Sequence, residues 1–75
     1  MNNFPSKEIV EKLRVQYPVG CRVELLRMED AYAPPLGTKG IVRGVDDIGS
    51  IMVSWDSGSS LSIVFGEDLC LKTEE

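Results

Sequence analysis

Residues 37–68 consist of short apolar, β-branched runs separated by clusters of Gly, Asp and Ser, a punctuation that admits little besides a meander of antiparallel strands. Gly37-Thr38-Lys39-Gly40 leads into Ile41-Val42-Arg43-Gly44-Val45, and Asp46-Asp47-Ile48-Gly49-Ser50 divides that run from Ile51-Met52-Val53-Ser54-Trp55. Asp56-Ser57-Gly58-Ser59-Ser60 then precedes Leu61-Ser62-Ile63-Val64. Alternation puts Ile51, Val53 and Trp55 on one face of their strand, with Met52 and Ser54 on the other. Asp56-Ser57-Gly58-Ser59 reads as a hairpin turn in which the Asp carboxylate bonds the backbone two residues on. Gly37 and Gly40, at the entry to the second strand, suit a positive φ or a close backbone approach.

The flanks extend the pattern. Arg22 to Met28 reads as a first strand with Val23 and Leu25 inward, followed by a long loop, Glu29 to Leu36, stiffened at Ala33-Pro34-Pro35. Val64 to Asp68 reads as an irregular or 3₁₀ turn, and Leu69 and Leu71 as the inward face of a last strand. Ahead of the strands, Ser6 caps a helix to Tyr17, with Glu8 and Glu11 early and Arg14 late, as the helix dipole favours. Its apolar side, Ile9, Val10, Leu13 and Tyr17, needs a surface to cover. Pro18 ends it.

The expected architecture is all-β: a small SH3-like barrel of five short antiparallel strands, residues 20–72, with one N-terminal α-helix, residues 6–17, packed on it through Ile9, Val10 and Leu13. Residues 1–5 are expected to be disordered and 73–75 frayed. An OB-like barrel fits less well, because its helix between the third and fourth strands has no room in the gap from Asp56 to Ser60. Seventy-five residues make one domain that buries only about 60–65% of its unfolded surface.

Charge and residue types exclude several functions. A net charge of −4, from 8 basic and 12 acidic residues, argues against a dedicated nucleic-acid binder. The chain has no His, so the commonest metal ligand and general base are missing. Ser residues lie beside no strained elbow motif. An enzyme and a cofactor are therefore not expected. Acidic pairs at Glu29-Asp30, Asp46-Asp47 and Glu67-Asp68 suggest a hard-cation site only if two loops converge, and none has EF-hand spacing. Cys21 and Cys70 fit neither a disulfide framework nor a zinc site and are expected to be reduced. No apolar run approaches 18 residues and no signal peptide is evident, so a cytoplasmic monomer with no membrane contact is the expectation.

The chain resembles a family of small bacterial proteins classed as a domain of unknown function, DUF4314. The resemblance rests on Tyr17-Pro18-Val19-Gly20, Arg22-Val23-Glu24-Leu25, Met28-Glu29-Asp30, Ala33-Pro34-Pro35, Gly37-Thr38-Lys39-Gly40, Val45-Asp46-Asp47 and Trp55-Asp56-Ser57-Gly58-Ser59. It implies occurrence in firmicute bacteria, often near mobile elements, and brings neither an activity nor site residues. Gly40-x-Val42, Val53-x-Trp55-Asp56-x-Gly58-Ser59, Gly66 and Asp68-Leu69 are also loosely similar to the protein-binding, SH3-like module of Mind-bomb-type ubiquitin ligases.

Aromatic residues at the positions of Tyr32 and Phe65 line the groove for proline-rich peptides in SH3 domains. Here Ile51 stands where the groove's Trp would be, and Trp55 faces inward. The expected function is a non-catalytic module binding a protein through Tyr32, Pro34, Pro35 and Phe65. The alternative is a nucleic-acid-associated accessory protein using Arg22, Arg27, Lys39 and Arg43, and a small metal-binding protein comes third.

Overall fold

Ser6 starts helix α1 (Lys7–Gln16) by accepting from the Ile9 amide at 3.3 Å, in a computed structural model that describes residues 5–73. Tyr17 closes the helix, its amide donating to the Leu13 carbonyl at 2.8 Å. The expectations for residues 1–4 and 74–75 lie outside the described residues; Thr73, expected to fray, is the last residue of a strand.

Four strands follow: β1 (Arg22–Arg27), β2 (Lys39–Val45), β3 (Ile51–Trp55) and β4 (Leu69–Thr73). They form one antiparallel sheet in the order β3-β2-β1-β4. The fold is thus mostly β with one short helix, but the expected fourth of five strands, Leu61 to Val64, is reduced to a single bridge. Ile51 and Ile63 exchange hydrogen bonds at 2.9 and 2.8 Å. The reason lies just before Ile63. The Leu61 carbonyl accepts from the Trp55 indole at 2.8 Å and the Leu61 amide donates to Ser59 Oγ at 3.3 Å, drawing off the groups a longer ladder would use. Among the described residues no ladder closes β4 onto β3, so the sheet is open rather than a closed barrel.

Two β-bulges bend the sheet. One lies between Val42 and Gly44, leaving Arg43 as the extra residue and bringing both Val42 and Val45 inward although they are three apart. Gly44 takes φ +155° there. The other lies between Leu25 and Arg27 and turns Leu26 out. Gly40 meets the close approach expected of it: a Cβ there would lie 2.6 Å from Val53 Cγ1 and 2.8 Å from both the Ser54 carbonyl and Trp55 Cε3.

Val10 joins Val23, Leu25, Val42, Val45, Ile51, Val53, Trp55 and Ile63 in the core, and Leu13 and Tyr17 pack against it. Ile9 does not belong to that interface as expected. Position 9 borders the stripe through positions 10, 13 and 17 on the side away from Val10, a hundred degrees of rotation from it, and Ile9 is 36% exposed. Arg14, beyond its favourable place at the helix end, reaches the β2–β3 hairpin: Nε donates to the Val45 carbonyl at 3.1 Å and Nη2 to Asp47 Oδ1 at 2.9 Å. No helix among the described residues is long and apolar enough to cross a membrane.

Asp56 does not bond the backbone two residues on. Its carboxylate is turned across the sheet and held by Arg22. The turn is closed instead by backbone bonds, Gly58 amide to Trp55 carbonyl and Trp55 amide to Ser59 carbonyl, both 2.9 Å. The Asx role falls to Asp46, whose Oδ1 accepts from Ile48 and Ser50, and to Asp30, which accepts from the Tyr32 amide.

Candidate functional site

β1 and β4 run antiparallel with Arg27 opposite Leu69, so the residues after β1 and those before β4 must lie side by side. Between them opens a cleft of about 470 Å³ lined by Arg27, Met28, Glu29, Asp30, Leu61, Ser62, Val64, Gly66, Glu67 and Asp68. Two of the three acidic pairs thus converge, Glu29-Asp30 from one wall and Glu67-Asp68 from the other. Arg27 is the single cation of the lining and is itself 3.5 Å from Glu29. Met28, Leu61 and Val64 give the cleft an apolar part.

Hydrogen bonds fix two of the carboxylates. Asp30 Oδ1 accepts from the Tyr32 amide at 2.8 Å, and Asp68 Oδ2 from the Val64 amide at 2.9 Å, which holds the turn Val64–Asp68 in shape. Glu29 and Glu67 are exposed. Among the described residues no three His, Cys, Asp or Glu side chains are placed to hold a metal ion.

Tyr32 and Phe65 do not share this cleft. Tyr32 is 84% exposed at the tip of its loop, while Phe65, half exposed, lines a separate apolar cleft of about 320 Å³ with Leu13, Tyr17, Ile51, Ile63 and Leu69. Pro34 is buried and anchors the loop; Pro35 is exposed. The loop's shape comes from its own bonds, Ala33 amide to Asp30 carbonyl at 3.0 Å and Thr38 hydroxyl to Pro35 carbonyl at 2.6 Å.

Of the four cations considered for phosphate, Arg22 is bound to Asp56 and Lys39 lies close enough to lower the same carboxyl. Arg27 pairs with Glu29 across the other end of the sheet, and Arg43 stands exposed at the β2 bulge. Cys21 and Cys70 are free thiols gathered near Tyr17. Burial pushes the Cys70 thiol up to about 11 against a hydrogen bond from Tyr17 that works the other way, and burial also raises the Tyr17 phenol.

The acidic cleft is the feature least predicted by reading each loop alone. Its signal was the acidic pairs immediately after the first strand and immediately before the last, two strands the topology makes neighbours.

The elements and the cleft define a small, mostly β protein with one helix and an acidic groove at the end of its sheet. The chain belongs to the family described as a domain of unknown function, DUF4314, whose model matches residues 6–73. Among curated proteins none matches it.

Proposed function

We propose that the protein is a non-catalytic interaction module that takes a basic, extended segment of a protein partner in the cleft between Glu29-Asp30 and Glu67-Asp68. The observation that carries this reading is the facing of two acidic pairs across a groove whose one cation is already paired. Facing carboxylates favour Lys or Arg side chains and suppress acidic competitors and phosphate backbones. The apolar lining gives their aliphatic stems a surface. An SH3-like architecture forms part of the reading: β4, β1, β2, β3 and the bridged residue Ile63 follow one another across the sheet in the order of the five strands of such domains.

Fluorescence anisotropy with a labelled Lys/Arg-rich peptide tests it. Binding should weaken with salt, fail for an Asp/Glu-rich peptide, and be lost with the exposed pair Glu29→Lys and Glu67→Lys. Binding of duplex or single-stranded DNA at physiological salt, with no response to the basic peptide, would overturn it in favour of nucleic acid.

A further inference from the structure

Among the described residues β4 has a neighbour, β1, on one side only. The backbone of Leu25 is engaged on the β2 side, its amide with the Thr38 carbonyl and its carbonyl with the Gly37 amide, each at 2.8 Å. Alternation therefore turns Arg22 and Glu24 toward β4, where they meet Thr73 and Leu71. Cys70 and Lys72, at the intervening positions, direct their amides and carbonyls to the open side. Protection of this edge is sparse. β4 contains no proline, the bulge beside it belongs to β1, and Leu69 and Leu71, expected to face inward, are instead 54% and 52% exposed while Cys70 packs against the core.

We infer that this edge pairs with the same edge of a second copy, antiparallel, about a two-fold axis at Cys70. Outward-directed residues must meet outward-directed ones, and charge then selects among the registers. Lys72 opposite Lys72 sets like charges together. Cys70 opposite Lys72 leaves Asp68 without a basic residue across from it. Cys70 opposite Cys70 puts Asp68 against the copy's Lys72 at both ends and Leu69 against the copy's Leu71 between. Here the Cys70 residues exchange amide and carbonyl bonds, and each Lys72 amide donates to the copy's Asp68 carbonyl. Asp68's own amide is already given to the Val64 carbonyl at 3.0 Å. The two sheets become one. So short a seam gives a weak, concentration-dependent dimer rather than an obligate one, a departure from the monomer expected of the sequence.

Sedimentation equilibrium of the full chain at rising concentration should show the doubled mass. Lys72→Glu should weaken the dimer about tenfold, two charge pairs turned repulsive being worth that much. Lys72 does not line the acidic cleft, so basic-peptide binding should survive the change, which keeps the two readings separable. Register is read by cross-linking. In a Cys21→Ser, Cys70→Ala background, Leu69→Cys and Leu71→Cys proteins oxidised separately should remain uncoupled, and their mixture should form a covalent dimer. A monomer at every concentration overturns the inference. So does a dimer indifferent to Lys72→Glu, or coupling by Leu71→Cys alone, which would put Leu71 on the axis. If the cysteine variants do not fold, the sedimentation of the native chain and Lys72→Glu decides it.

Discussion

Arg22 and Asp56, 34 residues apart, face each other across β2 in two parallel hydrogen bonds, Nη1 to Oδ1 at 3.0 Å and Nη2 to Oδ2 at 2.7 Å. The Asp56 amide donates to the Lys39 carbonyl at 2.8 Å, so one residue at the end of β3 fastens both β1 and β2. Bidentate geometry of this kind is stronger than a lone surface ion pair and fixes orientation as well.

That pair should be visible in acid. The Arg22 guanidinium, helped by Lys39, holds the Asp56 carboxyl below its ordinary 3.8. In the unfolded chain the group takes up its proton first as pH falls, so the stability it contributes is present above that value and lost as pH drops through the folded one. Melting temperature against pH for the native chain and Asp56→Asn should therefore differ at neutral pH and converge at the acid end. Parallel curves would remove the pair from the account of acid unfolding.

Gly40→Ala should destabilise by about 1–3 kcal/mol, the usual cost of forcing a methyl group into a filled space. The Ser54 carbonyl is backbone, and Val53 and Trp55 are both core residues, so neither side of the contact yields cheaply. Urea unfolding measures this; an unchanged midpoint would show that β2 and β3 can part without loss.

Trp55 is 3% exposed, and its indole donates to the Leu61 carbonyl. Trp55→Ala should cost about 3–5 kcal/mol, enough to unfold so small a domain. Trp55→Phe keeps most of the packing and orphans the Leu61 carbonyl, so it should cost about 1–3 kcal/mol. Iodide should hardly quench the native fluorescence; ready quenching would put the indole in solvent.

Val10 is the buried member of the helix stripe, and Val10→Ala should cost about 1–3 kcal/mol. Ile9→Ala, on an exposed neighbour, should change thermal stability much less. Equal effects would mean that the helix sits differently on the sheet.

Cys70 should react slowly with a disulfide reagent at mildly alkaline pH and accelerate only as pH nears about 11, since the thiolate is the nucleophile. Denatured protein prepared without reductant should titrate two thiols per chain, the number of cysteines it has. A finding of none in monomeric protein would reveal an internal bridge.

Where local chemistry decides, the residues told the structure plainly. Ser6, Tyr17-Pro18 and the alternation of Ile51, Val53 and Trp55 act within a few positions of themselves, and the helix and β3 stand where they were expected. The strand expected at Leu61 to Val64 failed because its backbone is diverted by the Trp55 indole, a bond that depends on tertiary placement. The aromatic groove failed for a similar reason: loop composition shows that Tyr32 and Phe65 are available but not that Phe65 turns to an apolar cleft while Tyr32 stands out in solvent. Asp56 chose a partner 34 residues away over its own turn, and no local rule contains Arg22. The acidic cleft lay between these cases, readable from paired loops once two strands were known to be neighbours.

Arg43, the extra residue of the β2 bulge, has a consequence that concerns length rather than chemistry. Its side chain is exposed, yet its backbone adds the one position that lets Val42 and Val45 face the same interior. Replacing it by another residue leaves that count intact, whereas deleting it shifts everything from Gly44 to the hairpin by one step and turns Val45 to solvent. The position tolerates a change of letter and punishes a change of spacing.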